Sequence, residues 1–221
     1  MKQTRLLAIA QVMLAFALWS TLGIFFNLVH LPTSVYVVFG SLIGLCVLLG
    51  YFHFIKGGIP KIILSPELLG LFAIAAIKGI IWFKALTLLP VAKAMLIHNM
   101  APVVALMIAP VLIKEKPSFN HLIAVVTGLL GLTTLLKIDS FGGSLLQLGI
   151  LYSVGTAIAS GLQDVLQRKI SRTVPGSSQA LVFVLGQAMG GLFFLLPQFP
   201  SSISWLDVSH FTYFGIVGTA L

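Results

Sequence analysis

Residues 67–89 read ELLGLFAIAAIKGIIWFKALTLL, bounded by Pro66 and Pro90. As an α-helix rising about 1.5 Å per residue, the stretch is about 34 Å long, enough to cross a hydrocarbon core of roughly 30 Å. Membrane β-strands are shorter, at about 9–11 residues, and alternate polar with apolar positions. Neither property holds here, so the stretch predicts a transmembrane helix. Its one deep charge, Lys78, stands eleven residues from either end, at the level of the bilayer midplane.

Runs of the same kind fill the rest of the chain. Seven are long enough to span and one is incomplete: Leu6 to Val29, Ser34 to Ile55, Glu67 to Leu89, Ala92 to Ile113, His121 to Leu136, Leu145 to Gln167, Gln179 to Pro197, and Val208 to the last residue. The first follows Lys2 and Arg5, as a signal peptide would. It is too long for a signal core and no small-residue cleavage site follows it, so it reads as the first helix. Only 8% of the 221 residues are charged and 58% are hydrophobic. A soluble domain carries roughly 25% charge, so much of this surface must face lipid. The single cysteine, Cys46, forms no intrachain disulfide and reads as a small core filler.

The net charge of +8 does not mark a nucleic-acid binder. Such proteins gather Lys and Arg on one solvated face or arm, whereas here they sit in the breaks between apolar runs. Lys2 and Arg5 precede the first run, and the break at His30–Thr33 has neither Lys nor Arg. Lys56 and Lys61, then Lys114 and Lys116, then Arg168, Lys169 and Arg172 occupy alternate breaks, against Lys93 and Lys137 with Asp139 and Asp207 on the other side. By the positive-inside rule the N-terminus is expected in the cytoplasm of a multi-pass protein of the cell membrane.

The second and seventh runs align at an offset of 146 residues, placing Gly40 and Gly44 on Gly186 and Gly190. At almost the same offset Glu67 to Ile74 falls near Ser209 to Ile216. The expected organisation is therefore an all-α membrane protein built from two five-helix units, residues 1–141 and 142–221. An odd number of helices inverts the second unit, a common plan of secondary transporters. Carrying Lys137 forward by the offset puts the end of a complete second unit near residue 283. The expectation is thus ten helices when complete, about eight in this chain, and a 221-residue form that inserts without transporting.

From Trp82 to Leu136 the chain reads WFKALTLLP, then VAKAMLIHNMAP, then a run closing on Ile113-Lys114-Glu115-Lys116, then Gly128 and Gly131. This order resembles the EamA-like family of the drug/metabolite transporter superfamily. Ala94, Pro102, Glu115, Gly128 and Gly131 stand where that family has an Ala-rich start and central Pro in helix four, a Glu at its inner end, and spaced glycines in helix five. The resemblance implies ten helices in two inverted repeats around a central cavity, lined by helices one, three, four, six, eight and nine. It also implies export or permeation of amino acids and other small metabolites. The extra lysines of the third and fourth runs depart from the family pattern and point to a positive cavity.

Lys78 is the first candidate for binding a solute. A central Lys costs about 2.5–3.5 kcal/mol on the insertion scale and ordinarily faces a cavity or a partner. Its side chain spans roughly 6 Å against about 15 Å to the headgroups, so it cannot snorkel out. An internal counter-ion is the rival role. Trp82, one turn on, either covers the ammonium or simply packs. Lys84 and Lys93 lie near the outer end and read as interface anchors. In the fourth run, Met95, His98, Pro102, Ala105 and Ala109 fall within about 80° on a helical wheel. Pro102 cannot donate to the His98 carbonyl. This face, with Asn99 beside it, suits either solute lining or close helix packing. Asp164, four residues before Arg168, reads first as a local ion pair and second as a proton-coupling group. Gly40, Gly44, Gly186 and Gly190 read as helix-packing sites.

No paired-carboxylate site, metal-ligand spacing, nucleophile elbow or phosphate loop is present, so no enzyme, cofactor or metal is expected. The expected function is alternating-access transport of a small metabolite, an amino acid or organic anion, across the cytoplasmic membrane. The alternatives are an apolar drug efflux carrier and a non-transporting membrane scaffold. A small-molecule solute and the lipid bilayer are the expected partners. A homodimer stays open, and nucleic acid is not expected.

Overall fold

The computed structural model describes residues 9–11, 13–15, 17–18, 21, 31–115, 118–136, 144–195, 199–200 and 202–220; among them every regular element is a helix. The first run is described only at its residues between 9 and 21, all helical. Lys2, Arg5, Lys116, Lys137 and Asp139 lie outside the described residues. The helices are α1 (Thr33–Phe54), α2 (Pro66–Leu88), α3 (Val91–His98), α4 (Ala101–Leu112), α5 (Phe119–Leu136), α6 (Ser144–Ile170), α7 (Gly176–Leu195) and α8 (Trp205–Tyr213), which continues as a π-helical segment, Phe214–Ala220. Among the described residues three stretches are long and apolar enough to cross a membrane by themselves: Ser34–Phe54, Pro66–Leu88 and the broken span Val91–Leu112.

The opening stretch forms the helix its sequence demands. The Ser65 side chain accepts from the Leu68 N–H at 3.1 Å, and Pro66 needs no donor partner in the first turn. Pro90 then forces Leu89 into extended backbone and ends α2. α2 sits at the centre, packed against α6 and α7, while α1 packs against α7 and the π segment. At one end of the bundle Glu67 meets Lys169 at 3.3 Å and Ser178 Oγ donates to the Lys61 carbonyl at 3.1 Å. Leu68, Leu71, Ile170, Val174 and Val182 close that end with Phe72 and Phe183. Lys56, Lys61, Lys114, Arg168, Lys169 and Arg172 all belong to this basic end.

Three sequence expectations need correction. The fourth run is two helices, not one. Met100 N–H bonds to the Ile97 carbonyl, a tight turn at Asn99–Met100, and Pro102 sits in the first turn of α4. The missing proline N–H removes the bond that a continuous helix would make to His98, so the chain restarts the helix just before it. The single wheel over Met95 to Ala109 is therefore split. Its Ala105 packs on α6 together with Ala101, which was not on that face: a Cβ on Gly161 would lie 2.7 Å from the Ala101 carbonyl oxygen and 2.8 Å from the Ala105 nitrogen. Cys46 is exposed on the outer face of α1 and fills no core. Arg168 pairs with Glu115 at 2.9 Å, not with Asp164.

The packing glycines lie at helix crossings. A Cβ on Gly186 would approach the Phe72 carbonyl oxygen to 2.5 Å, and one on Gly190 would overlap the Ala76 backbone. Gly40 gives way to the Phe214 ring, and Gly44 is buried. Met107, Val111, Phe119, Leu122 and Val126 are exposed on α4 and α5, an apolar surface.

α8 starts at Trp205, three residues before the eighth run, because Ser204 and Asp207 form a capping box. The Ser204 hydroxyl and N–H hold the Asp207 carboxyl below its usual range. A group lowered on folding adds stability above its ordinary pKa of about 3.9 and loses it as pH falls through the lower folded value. Acidification below about pH 4 should therefore fray the start of α8. At neutral pH Ser204→Ala should cost about 1 kcal/mol. Hydrogen exchange at the amides of 205–208 measures both effects.

Candidate functional site

α2, α3, α6, α7 and the π segment enclose a cavity with about 830 Å³ of atom-free space, part of it open to the surroundings. Lys78 enters it from the middle of α2. Its ammonium donates to Gln163 Oε1 on α6 at 2.8 Å and lies 5.5 Å from the centroid of the Phe183 ring. No carboxylate lies within 4.0 Å of it among the described residues. An ammonium carries three donors, and a neutral amide with a ring face supplies no contact ion pair, while the Asp164 charge acts on it from beyond contact distance. Asp164 is the next residue after Gln163 but is exposed and outside the lining.

One turn above Lys78, Trp82 also lines the cavity, but it does not cover the ammonium. Its ring packs on His98, with centroids 4.6 Å apart. His98 comes from the last residue of α3, and its Nδ1 lies 3.4 Å from Thr156 Oγ1 on α6. Met95, one turn earlier on α3, completes that wall. The structure thus brings Lys78, Trp82 and His98 together. It leaves Asn99 and Pro102 exposed at the α3–α4 break, outside the lining.

Sequence reasoning missed Gln163, Phe183 and Gln187. Gln187 lines the cavity beside Gly79, and its Oε1 is buried with no hydrogen-bond partner among the described residues. The available signal was an amide within an apolar run, which needs a partner as a charge does. Gln163 and Lys78 lie 85 residues apart, so no local pattern joins them. The lining reaches Leu86 and Val91 toward the end away from the basic residues. On the basic side the lining ends at Phe183, which packs on the Leu68–Val182 cluster.

The sequence pattern of the EamA-like transporter family matches residues 6–137. A protein of solved crystal structure superposes with a TM-score of 0.74, at 22% identity, over 94% of this chain and 74% of its own. At that identity the likeness speaks for the fold. Among curated proteins none matches. The family match covers more than half of the chain, and its helices are those of a multi-pass membrane protein. The chain belongs to the EamA-like transporter family, membrane transporters of the drug/metabolite type.

Proposed function

We propose that this protein carries a small polar metabolite bearing an anionic group, an amino acid or organic anion, across the cytoplasmic membrane by alternating access. The observation that carries the reading is the Lys78 ammonium, held in a cavity at mid-span by Gln163 without a carboxylate partner. An anionic group on the solute would supply the missing counter-charge. Gln187 Oε1 would accept from a donor on the same solute. A cavity that reaches from Lys78 toward the end away from the basic residues fits one of the two states that alternating access requires. Asp164 stays a candidate for proton coupling from its place beside Gln163.

The reading includes two inverted units, 1–141 and 142–221. Reciprocal packing supports it. α7 lays Gly186 and Gly190 on α2, and α1 lays Gly40 on the π segment of the eighth run. Gly186 corresponds to Gly40 at the offset of 146 and Phe72 to Phe214 at the neighbouring offset of 142, so the two contacts join corresponding helices with the units exchanged.

A panel of radiolabelled amino acids, carboxylates and apolar drugs, tested for binding to the purified protein, checks the solute class. Selective retention of anionic or zwitterionic solutes is expected. A second reading, efflux of apolar drugs, is favoured by the rings of Trp82, Phe83, Phe183 and Phe214 in the lining. The two separate on Lys78→Met, which lowers binding of an anion and raises binding of an apolar compound.

The same reading puts the N-terminus in the cytoplasm. In a Cys46→Ser background, an impermeant thiol reagent added outside cells should label a cysteine placed at Thr33 and miss one placed at Gly58. The reverse pattern would overturn the orientation.

A further inference from the structure

A second cleft lies at the basic end, between the last residues of α4 and of α6, with about 750 Å³ of atom-free space, part of it open solvent. Its floor is Leu112 and Ile113, and its rim carries Lys114, Arg168, Lys169 and Arg172 with Glu115. Glu115, the one acid of the lining among the described residues, and Glu67 are already engaged. Arg168 holds Glu115 at 2.9 Å and Lys169 holds Glu67 at 3.3 Å. Lys114 and Arg172 form no ion pair among the described residues, so the cleft keeps two cations in surplus.

The backbone is bent to build it. Lys114 adopts φ 55°, the left-handed conformation that ends many helices and is ordinarily taken by glycine. That turn follows α4 directly and brings Lys114 and Glu115 to face α6. A lysine at this position places a charge where glycine would place none.

We propose that this cleft binds the phosphate headgroup of an anionic membrane lipid. Basic pockets between helices at the membrane surface attract such headgroups. The apolar floor distinguishes a lipid from free phosphate. Met107 and Val111, one turn apart and exposed on α4, adjoin Leu112 and offer a path for acyl chains. Arg172 supplies the planar fork that suits a phosphate, and Lys114 a point charge beside it. Neither residue belongs to the solute cavity, so the lipid site stands independently of the solute reading.

The test is thermal unfolding of the purified 221-residue protein in detergent, titrated with phosphatidylglycerol, phosphatidylcholine or inorganic phosphate. Phosphatidylglycerol should raise the melting temperature saturably, with the shift shrinking as salt is added. Lys114→Gln combined with Arg172→Gln should abolish the shift. Lys56→Gln with Lys61→Gln, at the same end but outside the cleft, should keep it. An equal shift from phosphatidylcholine, or a full shift in the Lys114/Arg172 variant, would overturn the proposal. Inorganic phosphate reproducing the whole effect would also overturn it, making the site one for the free anion. If the variant melts too early to compare, native mass spectrometry of lipid retained in the cold decides. Phosphatidylglycerol retained equally by variant and wild type counts against the site, and selective loss supports it.

Discussion

Lys78→Met is expected to weaken binding of an anionic solute by roughly 10- to 150-fold and to leave the protein about as stable as before. A hydrogen bond to a charged group contributes about 1.5–3 kcal/mol, and 1.4 kcal/mol is about tenfold in affinity. Stability responds to two opposing effects. Removing a mid-span lysine relieves about 2.5–3.5 kcal/mol on the insertion scale. Against it, Gln163 Oε1 loses its donor, at a cost of about 1–3 kcal/mol. The two nearly cancel, so the melting temperature should hold or rise slightly. A buried pair with Asp164 would behave differently, because breaking it would cost about 3–5 kcal/mol and appear as misfolding. Solute binding and thermal unfolding measured on one preparation separate the cases. Unchanged affinity with unchanged stability would remove Lys78 from the solute site.

Gly190→Leu is expected to be the most damaging single change in the bundle, costing about 3 kcal/mol or more. The first carbon of any side chain there would overlap the Ala76 backbone of α2. A backbone held in the middle of a packed helix cannot step aside as a side-chain tip can. Gly40→Leu should cost less, since the obstacle is the Phe214 ring, a side chain at the cavity wall and not backbone. Gly176→Ala serves as the control. Nothing lies within 4 Å of its added carbon, and relief of unfolded-state entropy should make it neutral or stabilising by about 0.4–1 kcal/mol. Unfolding temperatures in detergent rank the three. Equal tolerance of leucine at 190 and alanine at 176 would contradict the close α2–α7 crossing.

The sequence by itself determined that this chain is a bundle of membrane helices, where α2 begins and ends, and that Lys78 sits at mid-span. These are local matters. Length against bilayer thickness, a Ser65 cap, and prolines at 66 and 90 act over a few residues, so they can be read without neighbours. The family resemblance was legible for the same reason, since its motif is contiguous from Trp82 to Leu136. The tertiary structure decided what each polar side chain meets. Lys78 found Gln163 and Phe183 and not Trp82, and Arg168 found Glu115 and not Asp164. Met95 and His98 went to the cavity while Ala105 packed against Gly161, because Pro102 broke the helix that was to keep them on one face. In a bilayer every helix is apolar almost all round, so hydrophobic periodicity no longer says which face looks inward. That choice falls to close packing between glycines and neighbouring backbones, which joins residues far apart in the chain.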